Sequence, residues 1–288
     1  MPTVFLQQVL NGIVLGSNYA LIALGLTMIF GILEVVNFAH GEIYMIGAFM
    51  TLFLTTLLGV PFLLAIPVSM AVVALLGVII ERGVFRPILG KPMINGMLLS
   101  FGLSTFLMNL ALLLFKADPR KIDSGYADVN LTFLGLQVTL ERLLVIIVAV
   151  LLVGILYLFI QKTRTGKAMR AVAQDREAAQ AVGVNIARIY PITFAIGSAL
   201  ATAAGSLVGA IFLVSPTMGW TPVIKSFVVV ILGGFGNVPG AIFASLILGL
   251  VESLGGGYVS YAYKDAYAFV LLVLAFLLKP EGLLGGSK

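Results

Sequence analysis

Nine long apolar runs constrain this chain more than any other feature of its sequence. They lie near 9–30, 42–58, 62–81, 94–115, 142–161, 191–214, 223–235, 239–254 and 266–279. A straight membrane-spanning helix needs about 20 apolar residues, so the run at 223–235 is too short and that at 239–254 is marginal. These two form either two tilted spans or one broken element. The sequence therefore predicts an all-α polytopic integral membrane protein with about eight transmembrane helices, in one domain over 1–288.

Composition excludes several classes of protein. Hydrophobic residues make up 60% of the chain and charged residues 10%, whereas a soluble domain has about 25% charged residues. The chain has no Cys and one His, which excludes thiolate sites and leaves little for a histidine cluster, so we expect no metal site. Its net charge of +5 comes without a basic aromatic face. We therefore expect no nucleic-acid partner and attribute the charge to loops that set membrane topology.

The distribution of basic residues predicts which loops face the cytoplasm. The loop 162–190 carries six Lys or Arg against two acidic residues, which the positive-inside rule places in the cytoplasm. Counting one span back puts 116–141 outside, and one more puts the basic residues of 82–91 inside. Counting forward, the tail with Lys279 and Lys288 falls inside if the two short runs together cross twice or not at all.

Two polar interruptions, near 31–42 and 233–240, break the apolar pattern. The first reads GILEVVNFAHGE and contains the only His, and the second reads GGFGNVPG, whose Gly and Pro cannot continue a regular helix. Ionisable groups at membrane depth are costly and often functional. Transporters often place such breaks at matching positions of two repeats. Helix–break–helix patterns over 18–58 and 223–254 are consistent with an internal repeat of this kind.

From these interruptions we select candidate residues for a translocation path. They are Asn37, His40, Gly41, Glu42, Gly233, Gly234, Gly236 and Asn237. The polar side chains of the first group either contact the path or make structural hydrogen bonds between helices, and Glu34 and Glu42 have the further alternative of exposure to cytoplasmic water. In the second group, backbone amides and carbonyls either bind the carboxylate and ammonium of a zwitterion or form a tight turn.

Two further charged residues lie in apolar runs. Glu252 comes late in its run, and Lys225 opens the run before it. We interpret both as interfacial side chains, with a proton relay as the alternative for Glu252. No ladder of buried carboxylates accompanies them, so the sequence offers little support for proton-driven transport.

The polar segment 166–184, GKAMRAVAQDREAAQAVGV, predicts an amphipathic helix in the cytoplasmic loop. It is rich in Ala and has no Pro, and Gly183 suits a helix end. Such a helix either lies on lipid headgroups or docks into a groove of a partner protein. Because Ala side chains bury little area, the docking interpretation is favoured.

Four segments carry a family resemblance over nearly the whole chain. They are SNYALIALGLTMIFGILEVVNFAHGEIYMIGAF at 17–49, GKAMRAVAQD at 166–175, KSFVVVILGGFGNVPGA at 225–241 and YKDAYAFVLLVLAFLLKPEGLLG at 263–285. The chain resembles the membrane-spanning permease, the H-type subunit, of the high-affinity branched-chain amino acid importers driven by ATP-binding cassettes. These segments separate less well the branched-chain amino acid, general amide and urea members of the wider family.

The resemblance implies a function and a set of partners. It implies transport of leucine, isoleucine and valine across the bacterial inner (cytoplasmic) membrane by a multi-pass permease domain over 1–288. The expected partners are a second related permease subunit, two ATP-binding cassette ATPase subunits, the lipid bilayer and an extracytoplasmic amino-acid-binding protein. No G-x-x-x-x-G-K-[S/T] motif occurs in the chain, so we expect no enzymatic activity and no cofactor, with ATP used by the partner subunits.

The resemblance also implies a surface that couples the chain to the ATPases. The EAA-x3-G spacing of Glu177, Ala178, Ala179 and Gly183 is similar to the coupling-loop pattern of importers. Downstream the pattern departs, because Pro191 follows Gly183 by eight residues, a shorter interval than in the general pattern. The implied coupling residues are Arg170, Asp175, Glu177, Ala178, Ala179 and Gly183. The ATPases would then close on ATP and push the helix 167–183, and tilting spans would alternate access to a central path.

Two other functions are compatible with the polar interruptions. The chain could be an importer permease for urea, short amides or other amino acids, because the residues alone do not identify the substrate. It could also be a stand-alone passive channel for amides or urea, although a channel has no use for a docking helix. A membrane-bound enzyme fits worst, because one His, no Cys and scattered carboxylates form no catalytic set.

Overall fold

The computed structural model describes residues 2–133 and 136–278, and α-helices account for most of them. The helices of this part are α1 (Pro2–Leu33), α2 (His40–Thr56), α3 (Phe62–Ile80), α4 (Met93–Phe115), α5 (Leu140–Lys162), α6 (Arg164–Gln174), α7 (Arg176–Ala181), α8 (Ile186–Ile211), α9 (Trp220–Gly233), α10 (Val238–Tyr258) and α11 (Lys264–Leu278). A π-helical turn (Glu81–Phe85) and a 3-10 turn (Arg86–Ile88) extend α3, and a 3-10 turn (Tyr261–Tyr263) precedes α11. Between α4 and α5, strands β1 (Asn130–Phe133) and β2 (Leu136–Thr139) pair antiparallel, with Asn130 opposite Thr139.

Nine of these helices correspond to the nine apolar runs of the sequence. Six helices of the described part are long and apolar enough to cross a membrane: Thr3–Leu33, Phe62–Ile88, Met93–Phe115, Leu140–Lys162, Ile186–Ile211 and Val238–Tyr258. The other three, α2, α9 and α11, have 17, 14 and 15 residues. At about 1.5 Å per residue α9 reaches about 21 Å, less than the roughly 30 Å of a hydrocarbon core. The all-α polytopic fold is confirmed, and the hairpin that the sequence does not predict lies in a loop.

Helix α1 occupies the centre of the bundle. Helices α5, α8, α9 and α10 pack around it, and 83% of its most apolar window is buried. Glycines permit the closest approach, because a Cβ on Gly12 or Gly16 would lie 2.9 Å from the backbone of α10. Helices α4 and α5 differ, since only 22% of each window is buried. They therefore present apolar side chains outward, as expected of helices that face lipid.

One end of the bundle, here called the basic end, is formed by 81–92 and 162–190. These two segments hold nine Lys or Arg against three Asp or Glu. They touch through Arg86, whose Nη2 donates to the carbonyl oxygen of Ala187 at 2.9 Å. The structure thus places together the two loops that the sequence assigns to the cytoplasmic side.

The other end, here called the opposite end, contains the loop 116–139. This loop meets the first turns of α1, where Gln7 and Gln137 exchange two hydrogen bonds of 3.1 Å. Arg142, at the start of α5, donates to Asn11 of α1 at 2.9 Å. The position of 116–139 agrees with the predicted side of this loop, whereas the predicted position of the tail with Lys279 and Lys288 lies outside the described residues.

Two helices begin inside the bundle instead of at one of its ends. After α1 the chain continues through the non-helical segment 34–39, and α2 starts at the buried His40. After α8 the irregular segment 212–219 leads to α9. The first turns of α2 and α9 meet, because the backbones of Gly41 and Gly219 are in direct contact and a Cβ on either would overlap the other.

The first interruption lies where the sequence predicts it, near 31–42. For the interruption at 212–219, the apolar runs predict a connection near 215–222, but they do not predict that it leads to a helix start inside the bundle. The pairs α1–α2 and α8–α9 share the form helix, break and helix, as does α9–α10 over 223–254, and the repeat of 18–58 with 223–254 stays a prediction. Residues 234–237 form the connection between α9 and α10, so the chain from 212 to 258 crosses the bundle twice.

Candidate translocation path and docking surface

The contact between the first turns of α2 and α9, here called the α2–α9 junction, contains the first group of predicted path residues. Asn37, His40 and Glu42 are all buried there, and Gly41 forms the contact itself. Helix α1 ends because Glu34 adopts a φ of 57°, in the left-handed region that non-glycine residues seldom occupy. The short turn that follows brings the four residues together inside the bundle.

Several buried polar atoms at this junction have no hydrogen-bond partner among the described residues. They are both amide atoms of Asn37, both ring nitrogens of His40 and Oε2 of Glu42. The imidazole lies near the backbone of Ile22, and Glu42 lies near Ser104, but neither contact satisfies these atoms. Burying a polar group without a partner costs free energy. The junction is therefore a buried polar region whose side-chain atoms are only partly satisfied by the described residues.

Aromatic rings line one side of the α2–α9 junction. The ring of Phe38 lies 4.9 Å from that of Phe227 and 6.5 Å from that of Phe101, measured between centroids. Phe101 in turn lies 6.4 Å from Trp220, the first residue of α9 and the only tryptophan of the chain. On the other side, a Cβ on Gly25 of α1 would lie 2.9 Å from Nε2 of His40. The imidazole therefore packs directly against the central helix.

The second group of predicted path residues forms the tight connection between α9 and α10. Gly234 and Gly236 have φ of 90° and 74°, which a side chain rarely adopts. Asn237 caps α10 by accepting a hydrogen bond of 3.0 Å from the amide of Gly240, and Gly233 packs against the Gly240 backbone. This is the tight-turn alternative in geometry, and the predicted binding of a zwitterion here stays a prediction.

The two groups of path residues do not come together in one site. Gly236 packs against Gly31 at the C-terminal end of α1, next to α6 at the basic end. His40 instead packs against Gly25, more than one helical turn further into the bundle. The structure thus separates a buried polar junction from a capped turn.

The predicted single helix over 167–183 is wrong, because the structure contains two helices, α6 and α7. They meet at Asp175, which has extended φ and ψ of −155° and 112° and caps α7. Its Oδ1 accepts a hydrogen bond of 2.9 Å from the amide of Ala178. Aspartate favours the N-cap position because its side chain satisfies an amide that the first turn leaves free. That preference outweighs the helix propensity of the surrounding alanines.

The predicted coupling residues lie mostly on the outer face of the basic end. Arg170, Asp175, Glu177, Ala178 and Gly183 are exposed, and Ala179 is buried. The inner face of α6 buries Met169 and Val172. These face the last turns of α1, where Thr27, Met28 and Gly31 line a small cavity with Met169 and Ala173. A force on α6 would therefore reach α1 directly.

Near the opposite end, a group of charges with a buried pair at its centre joins α1, α9, α10 and α11. Lys225 of α9 lies 2.7 Å from Glu252 of α10 and 2.8 Å from Asp265 of α11. The first contact is an ion pair by distance, although its angles do not make a hydrogen bond. The hydroxyl of Tyr19 donates to Glu252 at 2.8 Å and accepts from Lys225 at 3.3 Å. Lys264 completes the group, 3.9 Å from Glu252.

The interfacial interpretation of Lys225 and Glu252 is wrong. Their side chains are only 6% and 0% exposed, because they neutralise each other inside the bundle. Sequence reasoning finds two charged residues in apolar runs, but not their pairing, since the residues lie on different helices. The signal available was the presence of opposite charges in neighbouring apolar runs, which favours an intramembrane pair.

Two adjoining cavities open beside this charged group. The larger, of about 440 Å³, reaches from Tyr261, Lys264 and Asp265 to Tyr44 and Thr221 near the α2–α9 junction. The smaller, of about 290 Å³, lies toward Gln8, Arg142 and Ser253. Six residues line both cavities: Val14, Leu15, Ile211, Phe212, Tyr261 and Lys264. A polar rim with apolar walls is the usual lining of a small-molecule site.

Comparison with known proteins places this arrangement in context. A family model described as the permease component of the branched-chain amino acid transport system matches residues 8–276. The high-affinity branched-chain amino acid transport system permease protein BraD of Pseudomonas aeruginosa is 37% identical, over 99% of this chain and 98% of that one. The corresponding protein LivH of Escherichia coli is 37% identical, over 98% of this chain and 96% of that one.

Two more distant similarities concern a second permease and the fold. The permease protein LivM of the high-affinity branched-chain amino acid system of Escherichia coli is 26% identical, over 92% of this chain and 67% of that one. Among solved structures, PsaBC from Streptococcus pneumoniae in complex with Fab superposes with a TM-score of 0.51 at 14% identity, covering 96% of this chain and 92% of that chain. At that identity the superposition speaks for the fold alone.

Proposed function

The chain belongs to the permease component family of the branched-chain amino acid transport system, and from this premise we propose that it is the membrane-spanning subunit of an ATP-driven importer. Its substrates are leucine, isoleucine and valine, and it works in the bacterial inner membrane. One observation carries the proposal: the similarity to BraD and LivH extends over nearly the full length of each chain. Because the similarity covers nearly the full length of each chain, it extends over all the predicted spans instead of over one segment.

The ATPase subunits dock at the basic end, on the exposed faces of α6 and α7. Val182, at the end of α7, is 79% exposed although it is apolar, and exposed Ala178 lies one turn before it. Basic and acidic side chains, including Arg170 and Glu177, surround this small apolar surface. A small apolar centre with a charged rim suits a protein groove better than a lipid surface. The chain has no P-loop of its own, so the partners use the ATP.

Docking at this surface can move the path by two routes. Helix α6 packs on the last turns of α1, directly before the break that leads to α2. Helix α7 reaches α8 through Arg176, whose guanidinium carbon lies 5.7 Å from the ring centroid of Tyr190. A push on α6 and α7 would therefore act on α1–α2 and on α8–α9. The second helices of these two units, α2 and α9, meet at the α2–α9 junction. Such a push would open and close that junction.

A second permease subunit and a binding protein complete the proposed importer. LivM is named as a permease of the same Escherichia coli system as LivH and is related to this chain, which supports a pair of related permeases. The outward apolar faces of α3, α4, α5 and α11 offer surface for that subunit and for lipid. The binding protein would deliver its amino acid at the opposite end, where the cavities open.

The passive-channel alternative has less support. A channel needs neither α6 nor α7 as a docking surface, and the family match is to permease components of a transport system. The alternatives of urea, short amides or other amino acids are likewise not favoured by the names of BraD and LivH. No observation on the described residues speaks specifically for them.

Purification from the native membrane tests the proposal. The tagged chain is extracted in mild detergent after crosslinking, and the proteins that accompany it are identified by mass spectrometry. We expect two ATP-binding cassette subunits and a second hydrophobic subunit, and the reconstituted assembly should take up leucine only with ATP. A homo-oligomer without ATPase that passes leucine or urea down a gradient would overturn the proposal in favour of a channel.

A further inference from the structure

We propose that the two adjoining cavities at the opposite end form one vestibule that binds the zwitterionic head of an α-amino acid at Lys264 and Asp265. The inference rests on the proposed function and adds a site to it. Its ligand is defined by chemistry: a neighbouring ammonium and carboxylate, joined to an apolar side chain. Urea and simple amides carry neither charge.

The four charges of the group around Lys225 balance one another, while Arg142 lies apart in the smaller cavity and donates a hydrogen bond to Asn11. Lys225 and Lys264 contribute two positive charges, and Glu252 and Asp265 contribute two negative ones. A bound amino acid adds one charge of each sign, so this group of four stays neutral. An ion with a single charge would leave an excess charge near the membrane interior, which is costly.

Exposure divides this group into an anchor and a receiving pair. The side chains of Lys225 and Glu252 are 6% and 0% exposed and lie 2.7 Å apart, so they form the anchor. The side chains of Asp265 and Lys264 are 68% and 24% exposed, so they receive the ligand. Lys225 contacts Asp265 at Oδ1, and the distance from Lys264 to Glu252 is 3.9 Å. The ammonium of Lys264 also lies 5.9 Å from the ring centroid of Tyr261. Neither contact is a hydrogen bond, so Lys264 can turn to a ligand carboxylate, while Asp265 offers its carboxylate to the ligand ammonium.

Apolar side chains stand opposite the receiving pair. Val14, Leu15, Val145, Val208, Ile211 and Phe212 line the larger cavity together with Lys264 and Asp265. A volume of about 440 Å³ lies within the range of about 300–1,000 Å³ found for small-molecule sites. A branched aliphatic side chain would lose water against this wall while its head stays at the charges.

The vestibule also lies in the right place for a path. Tyr44 of α2 and Thr221 of α9 line its inner part, and both follow closely on the glycines that touch at the α2–α9 junction. Its outer part is lined by Tyr261 and Ala262, before α11. An amino acid held here would wait directly outside the junction.

Saturation-transfer NMR tests the proposal on the intact importer complex without its binding protein. The complex is placed in nanodiscs of phosphatidylglycerol, which has no ammonium group that could compete for Asp265, and leucine at millimolar concentration is the probe. We expect transfer to be strongest at the leucine methyl groups and leucinamide to compete poorly. Lys264→Gln and Asp265→Asn should each weaken leucine binding about tenfold, because each removes one charged hydrogen bond.

Matched controls come from the same end of the molecule. Lys121→Gln and Asp128→Asn remove the same charges from exposed residues that line neither cavity, and they should bind leucine as the wild type does. Size-exclusion elution shows that every variant is assembled. Absence of transfer in the wild type, or equal loss in controls and test variants, would overturn the vestibule. Absence of ATP-dependent leucine uptake by the wild-type complex would instead overturn the proposed function.

Discussion

Two of the buried polar regions in the described part of the bundle differ in how far their polar atoms have partners. Around Lys225, two carboxylates and a tyrosine hydroxyl lie within 3.3 Å of one ammonium. At the α2–α9 junction, Asn37 and His40 are equally buried, yet their side-chain polar atoms make no hydrogen bond among the described residues. The first region therefore contributes to holding the helices together, whereas the second costs stability in the state described.

The difference separates a fixed part from a part that changes. A buried ion pair such as Lys225 and Glu252 resists change, because moving one helix would leave a charge alone. When a new partner forms hydrogen bonds with a buried amide and imidazole that lack partners, the free energy of the protein falls. The network of Lys225 thus suits an anchor beside the vestibule, and the junction suits the place where the path opens.

The largest effect is expected when one charge is removed from the paired region. Lys225→Met leaves Glu252 buried without its main partner, and we expect a loss of about 3–5 kcal/mol in the free energy of unfolding. Thermal unfolding of the purified chain in detergent measures this loss. The double variant Lys225→Met with Glu252→Gln should recover most of it, because no buried charge is left alone. Equal instability of single and double variants would contradict the role of the pair.

The second test closes the space at the junction. Gly41→Ala places a Cβ 3.0 Å from that of Val223 and in overlap with the Gly219 carbonyl, and we expect a loss of about 1–3 kcal/mol. The control is Gly102→Ala on α4, where no atom lies within 4 Å of the added Cβ. That control should be neutral or stabilising by about 0.5–1 kcal/mol, since alanine favours helices. If both variants behaved alike in unfolding, close contact at the junction would be disproved.

The third test concerns Asp175, an exposed residue whose side chain accepts a hydrogen bond. Asp175→Lys removes the cap of α7, and we expect a local loss of about 1 kcal/mol, measured as faster amide exchange in α7. Asp175→Asn keeps an acceptor at the N-cap and serves as the control. In the assembled importer, Asp175→Lys and Gly183→Val should also lower substrate-stimulated ATP hydrolysis. Unchanged stimulation in both would speak against coupling through α6 and α7.

The smallest effect on stability is expected at the unpaired junction itself. His40→Leu replaces ring nitrogens without partners by an apolar group of similar size, so the free energy of unfolding should not fall and should rise by about 0.5 kcal/mol. Leucine uptake by the same variant should fall strongly, as should uptake by Asn37→Ala, with assembly intact. Loss of assembly would show instead that these side chains hold helices together.

The membrane spans can be predicted from the sequence because lipid imposes a length and a composition on them. The basic end can be predicted as well, because the positive-inside rule uses the Lys and Arg content of each loop. It assigns 82–91 and 162–190 to the same side of the membrane. It predicts the interruption near 31–42, since Gly31, Asn37 and Gly41 depart from the apolar pattern. These features are local in the chain.

The features that sequence reasoning missed depend on contacts between distant segments. The pairing of Lys225 with Glu252 requires α9 and α10 to present two side chains at one depth. The start of α9 inside the bundle depends on the contact between Gly41 and Gly219, which lie far apart in the sequence. The break at Asp175 is local, but it depends on a small difference in free energy. N-capping by Asp175 competes with the helix propensity of its neighbours, and composition alone does not show which is larger.

The position of Trp220 gives the chain a natural optical probe. It is the only tryptophan, it is the first residue of α9, and it lies one residue after the glycine that touches α2. The residue is 46% exposed, and its ring meets Phe101 edge to face. Tryptophan emission depends on the polarity around the indole. In the isolated chain it therefore reports on the surroundings of the first turn of α9. Quenchers attached at known depths of the lipid acyl chain would therefore read how far α9 enters the bilayer without any labelling of the protein.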